Sequence, residues 1–351
     1  MSLAKTSNLR QLATFRAVAR LGSVSLAAEE LHLSQSAVSI QIGGLEAAAG
    51  TPLVVRTGRG VRLTEAGDLL LVYANRLLAL WHEASDEMAT FLGDFSGTLR
   101  VGAVTTAEYW LPRLLVAFAR QNPKIKIKLS VANRDEVVRS LATQEIDVAV
   151  MGRPPAELVV ASMPVGKNPM AFVAAPGHPL FAASQLSLAA LEDQTLLVRE
   201  RGSGTRLSVE RLFREAGLRL RIGSELSSNE AIKQMCVAGF GPAFLSLHTC
   251  VLEMDAGLLK LLPLPNNPSV REWHVVHLVG RALPKVATVF EDFMGRWAHE
   301  ELLTPLLPYL PPIPDLHPAA GLPPDLQPGL QAKVGPVSQP DPAPPANAPL
   351  T

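Results

Sequence analysis

LRQLATFRAVARLGSVSLAAEELHLSQSAVSIQIGGLE (Leu9 to Glu46), followed by the basic loop RTGRGVRLT (Arg56 to Thr64), decides how the rest of the chain is read. Leu9, Leu12, Phe15 and Val18/Ala19 recur at helical spacing and predict a first helix with one buried stripe. Gly22-Ser23 supplies a stop and an N-cap for a second helix, Val24 to Leu31, whose Ala27 and Ala28 let a neighbour approach closely. Ser34 caps a third helix, with Ala37, Val38, Ile42 and Leu45 expected inward and Gln35, Ser36, Ser39 and Gln41 outward. Short uncharged polar side chains suit base edges in a major groove: glutamine donates and accepts to adenine at once, and serine is permissive. Arg56 and Arg59 follow in a flanking loop, where guanidinium groups meet phosphates or the minor groove. This is the order of a winged helix-turn-helix on double-stranded DNA.

The net charge of the 351 residues is zero, but it is unevenly spread. Met1 to Thr64 carries seven Lys/Arg against three Glu (+4), and Glu65 to Ser96 carries one Arg against six acids (−5). The positive field sits where phosphates would need it.

Thr64-Glu65-Ala66-Gly67 opens a long helix to about Leu92, with Thr64 as its N-cap. Leu63, Ala66, Leu70, Tyr73, Leu77, Leu80 and Ala84 alternate spacings of three and four, a seam for a coiled-coil partner and hence for dimerisation. From Thr98 the texture changes. LRVGAV, IKIKLSV, DVAVM, MAFVAA, TLLVR, PAFLSL and WHVVHLV read as short strands with helical stretches between several of them, which predicts parallel sheets with crossover helices. Turn-rich sequence near Pro164 to Asn168 and Pro263 to Pro268 divides this region into two lobes, the second inserted in the first, with a hinged cleft between them. Leu302 to Thr351 holds 15 of the 29 prolines and reads as a disordered, polyproline-like tail.

The fold class expected is therefore α/β with an all-α-type head. The divisions are a DNA-binding head at 8–64, a linker helix at 65–95, a two-lobed unit at 97–300 and a tail at 301–351. Lobe 1 takes about 97–166 and 268–300, and lobe 2 about 167–267.

Residues 9 to about 300 resemble the LysR-type transcriptional regulators, on the phrases already quoted and on PLVVRTGRGVRLTEAG. The resemblance implies a winged helix-turn-helix, a dimerising linker helix and a periplasmic-binding-protein-like effector domain. It also implies a homodimer or homotetramer on a DNA operator, with RNA polymerase as a further partner. VTTAEYWLPRLLVAF, VANRDEVVRSL, DVAVMGRPP, RERGSGTRLSVERLF and SSNEAIKQM are similar to the subgroup controlling the Calvin-cycle (RuBisCO) operons. That likeness implies a small anionic effector such as a sugar phosphate, phosphoenolpyruvate or NADPH, with no permanent cofactor. Ile40, Gly43 and Gly44 depart from the family, which often places basic or larger residues there. Each mid-helix glycine is expected to cost about 0.5–1 kcal/mol relative to alanine.

The effector candidates rest on helix N-termini, whose free N–H groups bind anions. Thr105 and Thr106 lie between a strand and a helix, and Ser203, Thr205 and Arg206 do the same from the other lobe, with a guanidinium added. Asn133, Arg153 and Asn229 follow apolar segments, at the ends where α/β sheets place ligands.

Cys236 and Cys250 sit among apolar residues and read as buried structural thiols. No GxSxG, P-loop or HExxH is present, so neither an enzyme nor a metal site is expected. No leader and no run of about twenty apolar residues is found, which predicts a cytoplasmic protein without a membrane partner. A transporter's solute-binding module would share the two lobes but lack the head. A related regulator of another operon, binding an aromatic acid, is the nearer rival; an aromatic content of 5% and the two arginines favour a smaller anion.

Overall fold

The computed structural model describes residues 7–58, 60–91, 95–183, 185–280 and 282–310. The head is built from three helices, α1 (Leu9–Leu21), α2 (Val24–Glu30) and α3 (Gln35–Ala49), and a hairpin of β1 (Val54–Thr57) and β2 (Gly60–Leu63). Asn8 and Gln11 form a reciprocal capping box on α1, and Gly22 ends it in the left-handed region at φ 61°, where a Cβ would be strained. Ser23 and Ser34 cap α2 and α3 as expected, accepting from Leu26 N and Ala37 N. Leu12, Phe15, Val18, Ala27, Val38, Ile42 and Leu45 form one buried cluster.

The two helix glycines have different reasons. A Cβ on Gly44 would come within 2.8 Å of Gln11 Nε2, the side chain that completes the capping box, so Gly44 lets α1 lie close. At Gly43 a Cβ would meet nothing within 4 Å, and packing does not account for it.

Helix α4 (Glu65–Phe91) opens on Thr64, whose Oγ1 accepts from Gly67 N at 3.0 Å and donates to Pro52 O at 2.8 Å. One side of α4 belongs to the head core through Ala74 and Leu78. The predicted seam divides. Leu63, Ala66 and Leu70 pack on that core, whereas Tyr73, Leu77, Leu80 and Ala84 are exposed, joined by Leu69, Trp81, Met88 and Phe91.

The rest is a mixed sheet, not the parallel sheets expected. Its strands are β3 (Gly97–Val104), β4 (Ile125–Ala132), β5 (Val148–Met151), β6 (Val160–Ala174), β7 (Leu196–Arg199), β8 (Ile222–Leu226), β9 (Ala243–Ser246), β10 (Lys260–Leu261) and β11 (Ser269–Leu278). The order is β4-β3-β5-β11-β6-β9-β7-β8, with β10 also on β6. Pairs β3–β4, β3–β5, β7–β8 and β7–β9 are parallel; β6 and β11 are antiparallel to each other and to the strands beside them. MAFVAA thus covers only the last third of a 15-residue strand. Sequence reading broke it near Pro164 to Asn168, yet β6 stays paired with β11 across that stretch, with one irregularity opposite Trp273/His274.

Among the described residues four buried clusters pack on this sheet, and the two largest divide the ribbon. Leu99, Trp110, Phe118, Val165, Trp273 and Phe290 fill the first, with helices α5 (Leu111–Gln121) and α10 (Lys285–Leu303) packed on it. Met170, Phe172, Val198, Phe213 and Phe244 belong to the second, with α7 (Gly204–Glu215). Core membership changes between Val165 and Met170 on β6. Helices α6 (Arg134–Ala142), α8 (Asn229–Val237) and α9 (Val251–Asp255) complete the fold.

Packed structure continues past the boundary expected at 301. Leu302, Leu303 and Leu306 are buried, and the turn Thr304–Tyr309 packs on the second lobe, where Tyr309 hydrogen-bonds Asp255. Leu306, Tyr309 and Leu310, set among the prolines, join a core that a proline count conceals. Residues 311–351 lie outside the described residues.

His248 fastens this segment. Its Nε2 donates to Leu302 O at 3.0 Å, and the ring lies 6.0 Å from Trp273 and 6.5 Å from Trp110. Burial holds its pKa down to about 4, only partly opposed by that hydrogen bond. In the unfolded chain histidine titrates near 6.5, so the unfolded state takes up the proton first. The contribution of neutral His248 is complete above pH ~6.5 and disappears as pH falls towards 4, a loss of about 3 kcal/mol. Urea melts across that window should show wild type losing stability more steeply than His248→Gln; parallel curves would disprove it.

Candidate nucleic-acid interface and anion cleft

Gln35, Ser36 and Ser39 of α3 and Arg56 of β1 line one shallow concavity with Ser23 and Thr57. Gln35, Ser36 and Arg56 are exposed, and the Ser36 hydroxyl lies 2.8 Å from that of Ser34. The N-terminal half of α3 and the wing therefore present hydroxyl, amide and guanidinium groups to one surface. Gln41 does not join them. It lies about 200° around the helix from Ser39, and its Oε1 accepts from Thr14 Oγ1 of α1 at 2.6 Å. Its place on the outer face, taken by polarity alone, goes to Ile40, which is 73% exposed. Arg59 lies outside the described residues.

The second site is the cleft between the lobes, a cavity of about 190 Å³. Lobe 1 contributes Thr105, Thr106, Asn133 and Arg153, and lobe 2 contributes Ser203 and Thr205. Thr105 and Thr106 begin a 3₁₀ turn (Thr105–Tyr109) between β3 and α5. Asn133 caps α6, accepting from Glu136 N at 3.0 Å. Ser203 precedes α7 without a side-chain cap bond, which leaves its hydroxyl and the first amides of α7 to the cleft.

Two candidates are elsewhere. Arg206 is 4% exposed; its Nη1 donates to Arg199 O at 3.0 Å and to Glu225 Oε2 at 3.2 Å, so it braces α7 against its own lobe. Thr205 and Arg206 are neighbours in sequence but about 100° apart on the helix, which is enough to turn one away. Asn229 is buried with its Oδ1 accepting from Arg199 Nη1. Ser228, not Asn229, caps α8.

Arg153 is joined in the cleft by cations that sequence reading missed. Arg211 and Ser208 of α7, Arg271 of β11, and Asn168 of β6 all line it. Arg271 Nη1 donates to Ser208 Oγ at 2.6 Å. Burial holds the Arg271 pKa below the ordinary value, and the neighbouring charges of Arg211 and Arg153 push it the same way, opposed by Glu215. Four guanidinium groups thus line one small cavity; Arg134 is paired with Glu157, while Arg153, Arg211 and Arg271 crowd one another, an arrangement that an anion would relieve. Two signals could have found the pair. Ser203/Gly204, Leu207/Ser208 and Arg211 repeat at helical spacing along one face of α7. Arg271 shares strand parity with buried Trp273, an unusual place for a cation.

The lobes also touch behind the cavity. Arg199, 1% exposed, donates to Thr105 Oγ1 across the cleft at 3.0 Å, and Tyr109 OH donates to Glu230 Oε1 at 2.7 Å. At the rim, Asp135 N donates to Gly202 O at 3.2 Å.

Cys236 and Cys250 are buried, and burial pushes both thiols up to about 12, too high for ready thiolate chemistry. Among the described residues no helix is long and apolar enough to cross a membrane.

Residues 9–68 match the family described as bacterial regulatory helix-turn-helix protein, lysR family, and residues 92–298 match the LysR substrate binding domain. The RuBisCO operon transcriptional regulator of Allochromatium vinosum is 38% identical over 287 residues, or 82% of this chain and 95% of that protein. The CcmR regulatory domain of Synechocystis PCC6803, solved in complex with 2-PG, is 36% identical with a TM-score of 0.55, covering 57% of this chain and 96% of that one. Full-length CbnR, solved with its target DNA, is 25% identical with a TM-score of 0.58, covering 82% of this chain and 99% of that one.

Proposed function

The chain belongs to the LysR family of DNA-binding transcriptional regulators, and we propose that it controls genes of CO2 fixation in response to a small phosphorylated or carboxylated metabolite held between its lobes. It is a regulator and not an enzyme. The observation that carries the ligand class is the convergence of Arg153, Arg211 and Arg271 with threonine and serine hydroxyls on one cavity. A volume of about 190 Å³ lies below the range of ~300–1,000 Å³ usual for drug-sized ligands, which favours a few-carbon anion over NADPH. The relative solved with 2-PG fits that class.

On DNA, α3 enters the major groove with Gln35, Ser36 and Ser39 at base edges, while Arg56 and Arg59 meet phosphate or the minor groove. The exposed stripe of α4 joins two chains as a homodimer, and dimers pair as a homotetramer across two half-sites. The ligand acts only through its different affinity for two lobe arrangements, which space the heads differently and so alter RNA polymerase access.

Two measurements test this. Melting of the full chain is followed with 2-PG, phosphoenolpyruvate, ribulose bisphosphate, NADPH and benzoate; a shift with the small phosphorylated acids is expected. Footprinting of the chain's own upstream region, with and without the ligand so found, should show protection whose extent changes. No protected region at moderate salt would overturn the operator reading, and a shift with benzoate alone would overturn the ligand class.

A further inference from the structure

Ile40 contributes nothing to the fold that holds it. It is 73% exposed, sits outside the buried cluster of the head, and is β-branched, which gives a helix no advantage over alanine. Its neighbours along the same face are Ser36, one turn before, and Gly43, one turn after, where a Cβ would meet nothing within 4 Å. An isoleucine therefore stands alone on the outer face of α3, between two residues too small to shield it. The rest of that helix offers no cation to compete: Gln35 to Ala49 contains no Lys or Arg. The face it shares with Ser36 is the one that turns Gln35, Ser36 and Ser39 to the same side as Arg56.

We propose that Ile40 is a specificity residue that reads the C5 methyl of thymine. In the major groove thymine is the only base that offers an apolar group, so an uncharged, branched hydrocarbon at a helix face discriminates by burying that methyl. The missing side chain at Gly43 has a part in this: it leaves room for the groove wall to close on Ile40. Ser36 and Ile40 are one turn, about 6 Å, apart along the helix, roughly two base steps, so their targets fall on nearby pairs. The proposal rests on the placement of α3 at base edges given above.

The experiment uses the full chain. Selection from random duplexes defines the preferred site, and each thymine in it is then replaced in turn by uracil, which lacks only the methyl. At one thymine in each half-site the replacement should weaken wild type about fourfold. Ile40→Ala should bind the thymine site about as weakly as wild type binds the uracil site, and should be indifferent to the exchange. Because Ile40 is solvent-exposed, its melting temperature should be unchanged. The proposal is overturned if no single thymine matters to wild type, or if Ile40→Ala keeps the same uracil penalty. Gln35→Ala and Ser39→Ala separate the two readings. Should they shift the selected sequence while Ile40→Ala does not, only Ile40 is misassigned; should none of the three shift it, the placement of α3 is wrong.

Discussion

Arg271→Met should abolish the response to the ligand while leaving the operator complex intact. The guanidinium is held in the cleft by one hydrogen bond, to Ser208, and is crowded by Arg211 and Arg153. A charge-assisted hydrogen bond to an anion is worth about 1.5–3 kcal/mol, so affinity for the small phosphorylated acid should fall roughly ten- to hundredfold. The ligand-free protein should melt no lower than wild type, since methionine removes a desolvated cation from a like-charged group, and Ser208 still donates to Gly204 O at 2.7 Å. Titration calorimetry and a melt of the same sample check both halves. Wild-type affinity in the variant would remove Arg271 from the site. A large drop in ligand-free stability would give it a structural role instead.

Leu77→Glu combined with Leu80→Glu should separate the oligomer. Both side chains stand on the outer stripe of α4, 50% and 60% exposed, with Tyr73 before them and Trp81 after. A carboxylate in the middle of an apolar helix seam is left unpaired when the seam closes. The chain should sediment as a monomer at micromolar concentration. Operator affinity should fall about 10²–10⁴-fold, because each head then binds without the effective concentration that tethering supplies. The fold of the head should survive, since Leu78, the next residue along, is the one that faces its core at 4% exposure. If the doubly substituted chain stays dimeric and holds its operator, the stripe has another partner.

The head was the most legible part of the sequence. Capping residues and helical periodicity act over three or four positions, so Ser23, Ser34, Thr64 and Gly22 could each be placed from their immediate neighbours. The errors arose where a side chain's direction depends on something distant. Gln41 was assigned by polarity, but Thr14, 27 residues earlier, gives its amide a partner on the inner side. Arg206 and Asn229 lie in the first turns of α7 and α8, and turn towards Glu225 and Arg199. Arg271 lies inside a strand, whereas ligand groups are expected at strand ends. Its register partner on β6 is Asn168, and both line the cavity. Local rules locate elements; which polar group faces a cleft is settled by pairing across the chain.

The ribbon of β6 and β11 sets what motion the two lobes can make. Ten register pairs hold it, from Ser269↔Met170 to Leu278↔Val160, with one irregularity at Trp273/His274. Folding it over like a book would part rungs of that ladder at about 0.5–1.5 kcal/mol each, whereas torsion about its long axis keeps them all. Such a member behaves as a leaf spring: compliant to a screw motion and stiff to a swing. A metabolite gripped on one flank would then turn one lobe against the other through a modest angle, and the irregular rung is where the strip gives first.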